Sequence, residues 1–187
     1  MLFDKQKFGH KDWSFRVVPV AEYVECEFVD CNFSSGDFTG SIFIDCMFTS
    51  CNFSNTILDG CRMQGAVFLG CKLLGVNFSK MSMFLMSMRF DQCMIYNCNF
   101  SSLRIPATIF LKCKVAECSF GNSDLHGGSF SLCVFDKTEF HNSNLCGVDF
   151  RGATGYSFDL RVNKVKGAKF SHPDVLALLD YFEIEVE

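Results

Sequence analysis

Large apolar residues recur at every fifth position of this chain, and few folds can accommodate that spacing. They run Tyr23, Phe28, Phe33, Phe38, Phe43, Phe48, Phe53, Leu58, Met63, Phe68, Leu73 and Phe78. They resume as Phe90, Ile95, Phe100, Ile105, Phe110, Val115, Phe120, Leu125, Phe130, Phe135, Phe140, Leu145 and Phe150. Of the 23 phenylalanines, 19 fall on these two registers or their extensions, which include Phe3, Phe8 and Phe170. An α-helix would scatter such a set around its circumference, and a plain strand would send successive members to opposite faces. All of them stay inside only if the chain turns a corner every five residues, each side of a square giving one large side chain to a common axis. Four sides make a coil of twenty residues, and coils stacked at the β-spacing of about 4.8 Å make a rod. The period therefore predicts an all-β, four-sided solenoid.

The position two before each centre agrees. It holds Cys26, Cys31, Gly36, Ser41, Cys46, Cys51, Thr56, Cys61, Ala66 and Cys71, then Cys93, Cys98, Thr108, Cys113, Cys118, Ser123, Gly128, Cys133, Thr138 and Ser143. A small side chain there points inward beside the large one. The other three places are rich in Ser, Thr, Asn, Asp and Gly, which suit corners and solvent. Eleven of the twelve cysteines occupy the inward position, Cys146 being the exception. Their spacings are multiples of five rather than the C-x2-C of zinc sites, so core packing accounts for them. His10, His126, His141 and His172 form no motif, and there is no phosphate loop or nucleophile elbow. We expect no catalytic residues, no metal and no cofactor.

Residues 1–20 keep the phase at Phe3, Phe8, Trp13 and Val18 but put Gln6, Lys11 and Arg16 at the small position. They read as an irregular N-terminal cap to a solenoid spanning 21–170. Residues 171–187, SHPDVLALLDYFEIEVE, read as a short helix and tail. Ser171 or His172 would be the N-cap, Pro173 the first helical residue, and Asp174 an acid in the first turn. Leu176, Leu179, Tyr181, Phe182 and Ile184 are too apolar for free solvent. They are expected to cover the last coil and to join a second subunit in a closed twofold homodimer. No apolar run reaches 18 residues, and the opening MLFDKQKFGHKDW lacks the apolar core of a signal peptide. The expectation is a cytoplasmic protein with reduced thiols and no membrane contact.

Two departures from the repeat carry functional content. Twelve residues separate Phe78 from Phe90 where ten would keep phase, and this break near 79–89 is rich in methionine. Lys80, Met81, Met83, Phe84, Leu85, Met86, Met88 and Arg89 are the candidate contact residues. Two extra residues bulge there, or a loop of about seven leaves the coil, or the segment folds inward as a plug; an exposed Met- and Phe-rich loop would be adaptable in contact. The second departure is charge. Glu22, Glu25, Glu27, Asp30, Asp37, Asp45 and Asp59 lie between Val17 and Cys61, where there is no Lys or Arg. They form an ordinary solvated surface or an acidic face suited to a basic, DNA-binding groove. The absence of a basic stripe argues against direct nucleic-acid binding.

Repeats such as CNFSN, the single mid-chain break, TEFHNSNLCGVDFRGA and the apolar tail together resemble the pentapeptide-repeat proteins. Within that family they look like the topoisomerase-protecting branch of Qnr quinolone-resistance, albicidin-resistance and microcin-immunity proteins. The resemblance implies a right-handed quadrilateral β-helix, a dimer joined through C-terminal helices, and binding to DNA gyrase or topoisomerase IV. It also implies partial DNA mimicry, protection from a topoisomerase poison, and a contact-loop role for Lys80 to Arg89. The alternative is a structural or scaffold module that binds some other protein.

Overall fold

A computed structural model describes residues 1–182 and 184. The chain winds into parallel, square coils, and each side carries a short strand or a single bridge to the next coil. The first face pairs Leu2–Asp4, Glu22–Val24, Ile42–Ile44 and Arg62–Gln64. The second face aligns six strands, from Lys7–Gly9 to Ile109–Leu111. The third face holds Lys72–Leu74, Met94–Tyr96, Lys114–Ala116 and Val134–Asp136. The fourth is joined by bridges such as Val17 to Asp37 and Asn99 to Ser119. Residues twenty apart are in register, as Tyr23 is with Phe43.

The axis is filled by the predicted columns. Phe8, Phe28, Phe48, Phe68, Phe90, Phe110, Phe130, Phe150 and Phe170 stack in an unbroken row with centroids 4.7–5.4 Å apart and planes within 18° of parallel. That row is roughly 40 Å long at about 4.8 Å per rung. Adjacent columns meet edge to face, as Phe90 and Phe100 do at 6.1 Å and 86°. Each aromatic pair contributes about 0.5–1.5 kcal/mol beyond the area it buries.

Corners explain the remaining composition. The Phe33 carbonyl accepts from the Gly36 N–H at 2.9 Å. The residue before that donor, Ser35, has a φ of 53°, as the third position of a type II turn requires. Glu25, Asp30, Asp45, Ser50 and Asn55 sit at equivalent corners with φ between 50° and 54°.

The small inward residues do more than leave room. Cys31 donates its Sγ–H to the Phe8 carbonyl at 3.3 Å, Cys71 to that of Phe48 at 3.3 Å, and Cys133 to that of Phe110 at 3.4 Å. Thr56 and Thr138 do the same to Phe33 and Val115, each at 2.9 Å. Cys, Thr and Ser share small size and a donor, whereas Gly36, Ala66 and Gly128 meet only the requirement for size. Burial pushes the Cys46 and Cys61 thiols up to about 12.

That geometry corrects the reading of residues 1–20. They are a regular coil, with Phe3 stacked on Tyr23 at 5.0 Å and Glu22 N–H bonded to the Met1 carbonyl at 2.8 Å. The inward side chain reaches back to the preceding coil. In the first described coil Gln6, Lys11 and Arg16 are exposed, with no described carbonyl of a preceding coil for a small donor to reach.

The other end follows the sequence more closely. A nine-residue 3-10 helix covers Asp174–Phe182, starting one residue later than expected. The residue that seals the core is Leu178, buried to 2%, with Val175 packed beside it. Leu176 and Leu179 are half-buried, whereas Tyr181, Phe182 and Ile184 are exposed. Only part of the tail read from the sequence can be placed, because residues 183 and 185–187 lie outside the described residues.

Candidate partner-binding surface

The break lies on the first face. Ser82 N–H bonds the Cys61 carbonyl at 2.8 Å, and Ser87 N–H bonds the Met63 carbonyl at 3.0 Å. The Ser87 hydroxyl accepts from Gly65 N–H at 2.7 Å. Between these anchors stand Met83, Phe84, Leu85 and Met86, where the preceding coil has only Met63 and Gln64. The two surplus residues are extruded sideways, and the phenylalanine row passes the break without interruption, Phe68 to Phe90 being 4.9 Å.

The eight candidate residues therefore divide. Met81, Met86 and Met88 are buried at 5–8% exposure. Met88 pairs with Ala66 and so takes an inward position. These three methionines belong to the core rather than to a contact surface. Lys80 is ion-paired with Asp59 at 3.3 Å, and Arg89 with Asp91 at 3.2 Å. Met83, Phe84 and Leu85 project, at 57%, 62% and 58% exposure. Leu85 holds a left-handed φ of 54° to do so. The Phe84 ring lies over the Arg62 guanidinium at 5.7 Å. Arg62 sits on the strand beneath the bulge, and sequence reasoning missed it because it is 21 residues or more from the tip.

The acids do not form one face. Glu22 lies on the first side, Glu25 and Asp45 at the following corner, Glu27 on the second side and Asp30 at its end, while Asp37 and Asp59 belong to the fourth side. Four of the seven have partners: Glu25 with Lys5 at 3.8 Å, Glu27 with Lys7 at 3.0 Å, Asp30 with His10 at 4.0 Å, and Asp59 with Lys80. Lys5, Lys7 and His10 stand one coil above their acids. The result is an acidic band around the second and third coils, bounded by basic coils. Within it the Thr39 hydroxyl and N–H hold the Asp37 carboxyl below the usual range.

Further along, the third face carries an exposed ladder of Lys72, Met94, Lys114 and Val134, in register. Near the C-terminus a cleft of about 590 Å³ lies beside the helix, lined in part by Lys137, His141, Asp159 and Tyr181. Among the described residues, no group of three His, Cys, Asp or Glu stands close enough together to hold a metal. No helix there is long and apolar enough to cross a membrane.

A square coil, a five-residue period and small donors at one inward position define a pentapeptide-repeat protein, and this chain is one. Residues 26–65 and 116–152 match the Pentapeptide repeats family in eight copies. Among solved structures it is similar to a trypsin-treated variant of QnrB1, described as a plasmid-mediated fluoroquinolone resistance protein. The two share 16% identity and a TM-score of 0.69 over 97% of this chain and 100% of that one. Full-length QnrB1 matches at 16% identity and a TM-score of 0.56, over 98% and 100%. At these identities the likeness is one of fold. No curated protein sequence matches the chain.

Proposed function

We propose that this protein binds a type II topoisomerase, DNA gyrase or topoisomerase IV, and protects it from an inhibitor. The observation that carries the reading is the extruded tip of Met83, Phe84 and Leu85. The rod is in register on both sides of it, so the two surplus residues add nothing to the ladder and expose three large apolar side chains. Such a cost is offset when a partner buries them. The end-to-end likeness of the fold to a fluoroquinolone resistance protein supports the same partner class. Under this reading Lys80 and Arg89 hold the base of the tip. Leu176, Leu179, Tyr181, Phe182 and Ile184 join two rods into a homodimer.

The acidic band would engage a basic, DNA-binding surface of the partner over a short length. Two coils stand roughly 9.6 Å tall, a height over which duplex DNA carries about six charges. The band holds seven acids, but four are paired with Lys5, Lys7, His10 and Lys80, and the basic coils on either side confine the mimicry to those two coils. The test is supercoiling by purified gyrase with a fluoroquinolone, with and without this protein. Restored supercoiling supports the reading; activity that the protein neither restores nor inhibits sinks it.

A second reading, a scaffold for another protein, is favoured by the third face, where Lys72 and Lys114 alternate with exposed Met94 and Val134. A pull-down from a bacterial lysate separates the two, since only the first reading requires topoisomerase subunits.

A further inference from the structure

We propose that Arg62 and the tip formed by Met83, Phe84 and Leu85 are one epitope, and that its partner is a protein surface with an apolar pocket bordered by a carboxylate. This inference rests on the tip being the contact proposed above, and names the chemistry it meets.

Arg62 stands apart from the other arginines. Arg89, Arg104, Arg151 and Arg161 each have an aspartate within 4 Å, and Arg16 is exposed on the first coil. Arg62 is half-buried and has no ion pair among the described residues. Its Nε is buried without an acceptor. Its neighbour in register on the preceding coil is Ile42, and Glu22 lies one rung beyond that. A guanidinium with its Nε desolvated and no carboxylate of its own is costly to hold, and part of that cost is recovered when an outside acceptor meets its remaining N–H groups.

Phe84 lies over the guanidinium and restricts its movement, which lowers the entropy lost when two N–H groups on one edge engage a carboxylate. A planar fork favours a bidentate carboxylate. The three apolar side chains beside it require a pocket rather than a phosphate backbone, so the occupant is a protein. Aromatic and arginine anchors that a partner buries carry much of the binding energy at protein interfaces.

The test compares binding of gyrase by the wild type, Arg62→Gln, Arg62→Lys, Phe84→Leu and a variant lacking Phe84 and Leu85, with a thermal melt of each to confirm folding. Arg62→Gln should weaken binding by about 30-fold or more. Arg62→Lys should recover only part, since it restores charge without the fork. Phe84→Leu should lose several-fold while keeping an apolar tip. Raising salt should weaken the wild type more than Arg62→Gln. If the tip deletion abolishes binding while Arg62→Gln stays within twofold of the wild type, the epitope excludes Arg62 and this inference falls alone. If the wild type does not bind gyrase, the functional reading falls and takes this inference with it. Binding of duplex DNA alone that depends on Arg62 would overturn the choice of a protein partner.

Discussion

Deleting Phe84 and Leu85 should leave the rod standing and abolish the proposed protection. The deletion shortens the bulge to Met83 and Met86, which then span Ser82 to Ser87 as Met63 and Gln64 span the equivalent points one coil earlier. The Phe68–Phe90 stack at 4.9 Å shows that the coils need no shift to close. The loss to the free protein is the Phe84–Arg62 contact, about 0.5–1 kcal/mol at an exposed site. The gain is relief of the left-handed Leu85, about 1 kcal/mol. The balance is within about 1 kcal/mol, so the melting temperature should move by no more than about 2–4 °C. The effect on a partner is much larger. Burying a Phe or Leu contributes about 1.5–3 kcal/mol each, so losing both should weaken binding by about 100-fold or more. Circular dichroism melts and the gyrase supercoiling assay with inhibitor measure the two quantities side by side. Undiminished protection by a well-folded deletion variant refutes the reasoning. So does a melting temperature lowered by more than about 10 °C, because the tip would then be part of the scaffold.

Two further outcomes follow from the core. Phe90→Ala empties a site stacked on both Phe68 and Phe110 and should cost about 3–5 kcal/mol, read as a lower urea midpoint. Phe8→Ala, on the half-exposed first coil, should cost less than half as much, and equal losses would contradict the nearest-neighbour picture of the rod. At alkaline pH the buried Cys46 and Cys61 thiols, raised by burial to about 12 from 9.0, bind their protons more tightly in the folded state. Their contribution is intact below about pH 9 and is lost as the pH rises towards about 12. Stability should therefore fall through that window, and a Cys46→Ala, Cys61→Ala double variant should fall less steeply relative to its own value at pH 8. Parallel curves would show that the two thiols are not titrating.

Much of this molecule was legible in its order of residues, because a period of five has one compact solution. The square cross-section, the four axial columns, the inward place of eleven cysteines and the existence of a break all follow from spacing alone. The tertiary structure decided what spacing does not encode. Met81, Met83, Met86 and Met88 are chemically alike, and only the bonds from Ser82 and Ser87 to the preceding coil determine that Met83 points out while the others point in. The inward donors at Cys31 or Thr56 looked like packing until the carbonyls twenty-three residues earlier were seen to face them. The same direction of reach is why Lys11 and Arg16 are tolerated on a first coil that is otherwise regular. Charge behaved likewise: Glu25 and Glu27 looked like members of a bare acidic face, yet stacking brings Lys5 and Lys7 beside them from twenty residues away. Arg62 is the sharpest case, since its lack of an acceptor and its contact with Phe84 arise from two neighbouring coils, and nothing in either segment alone points to the other.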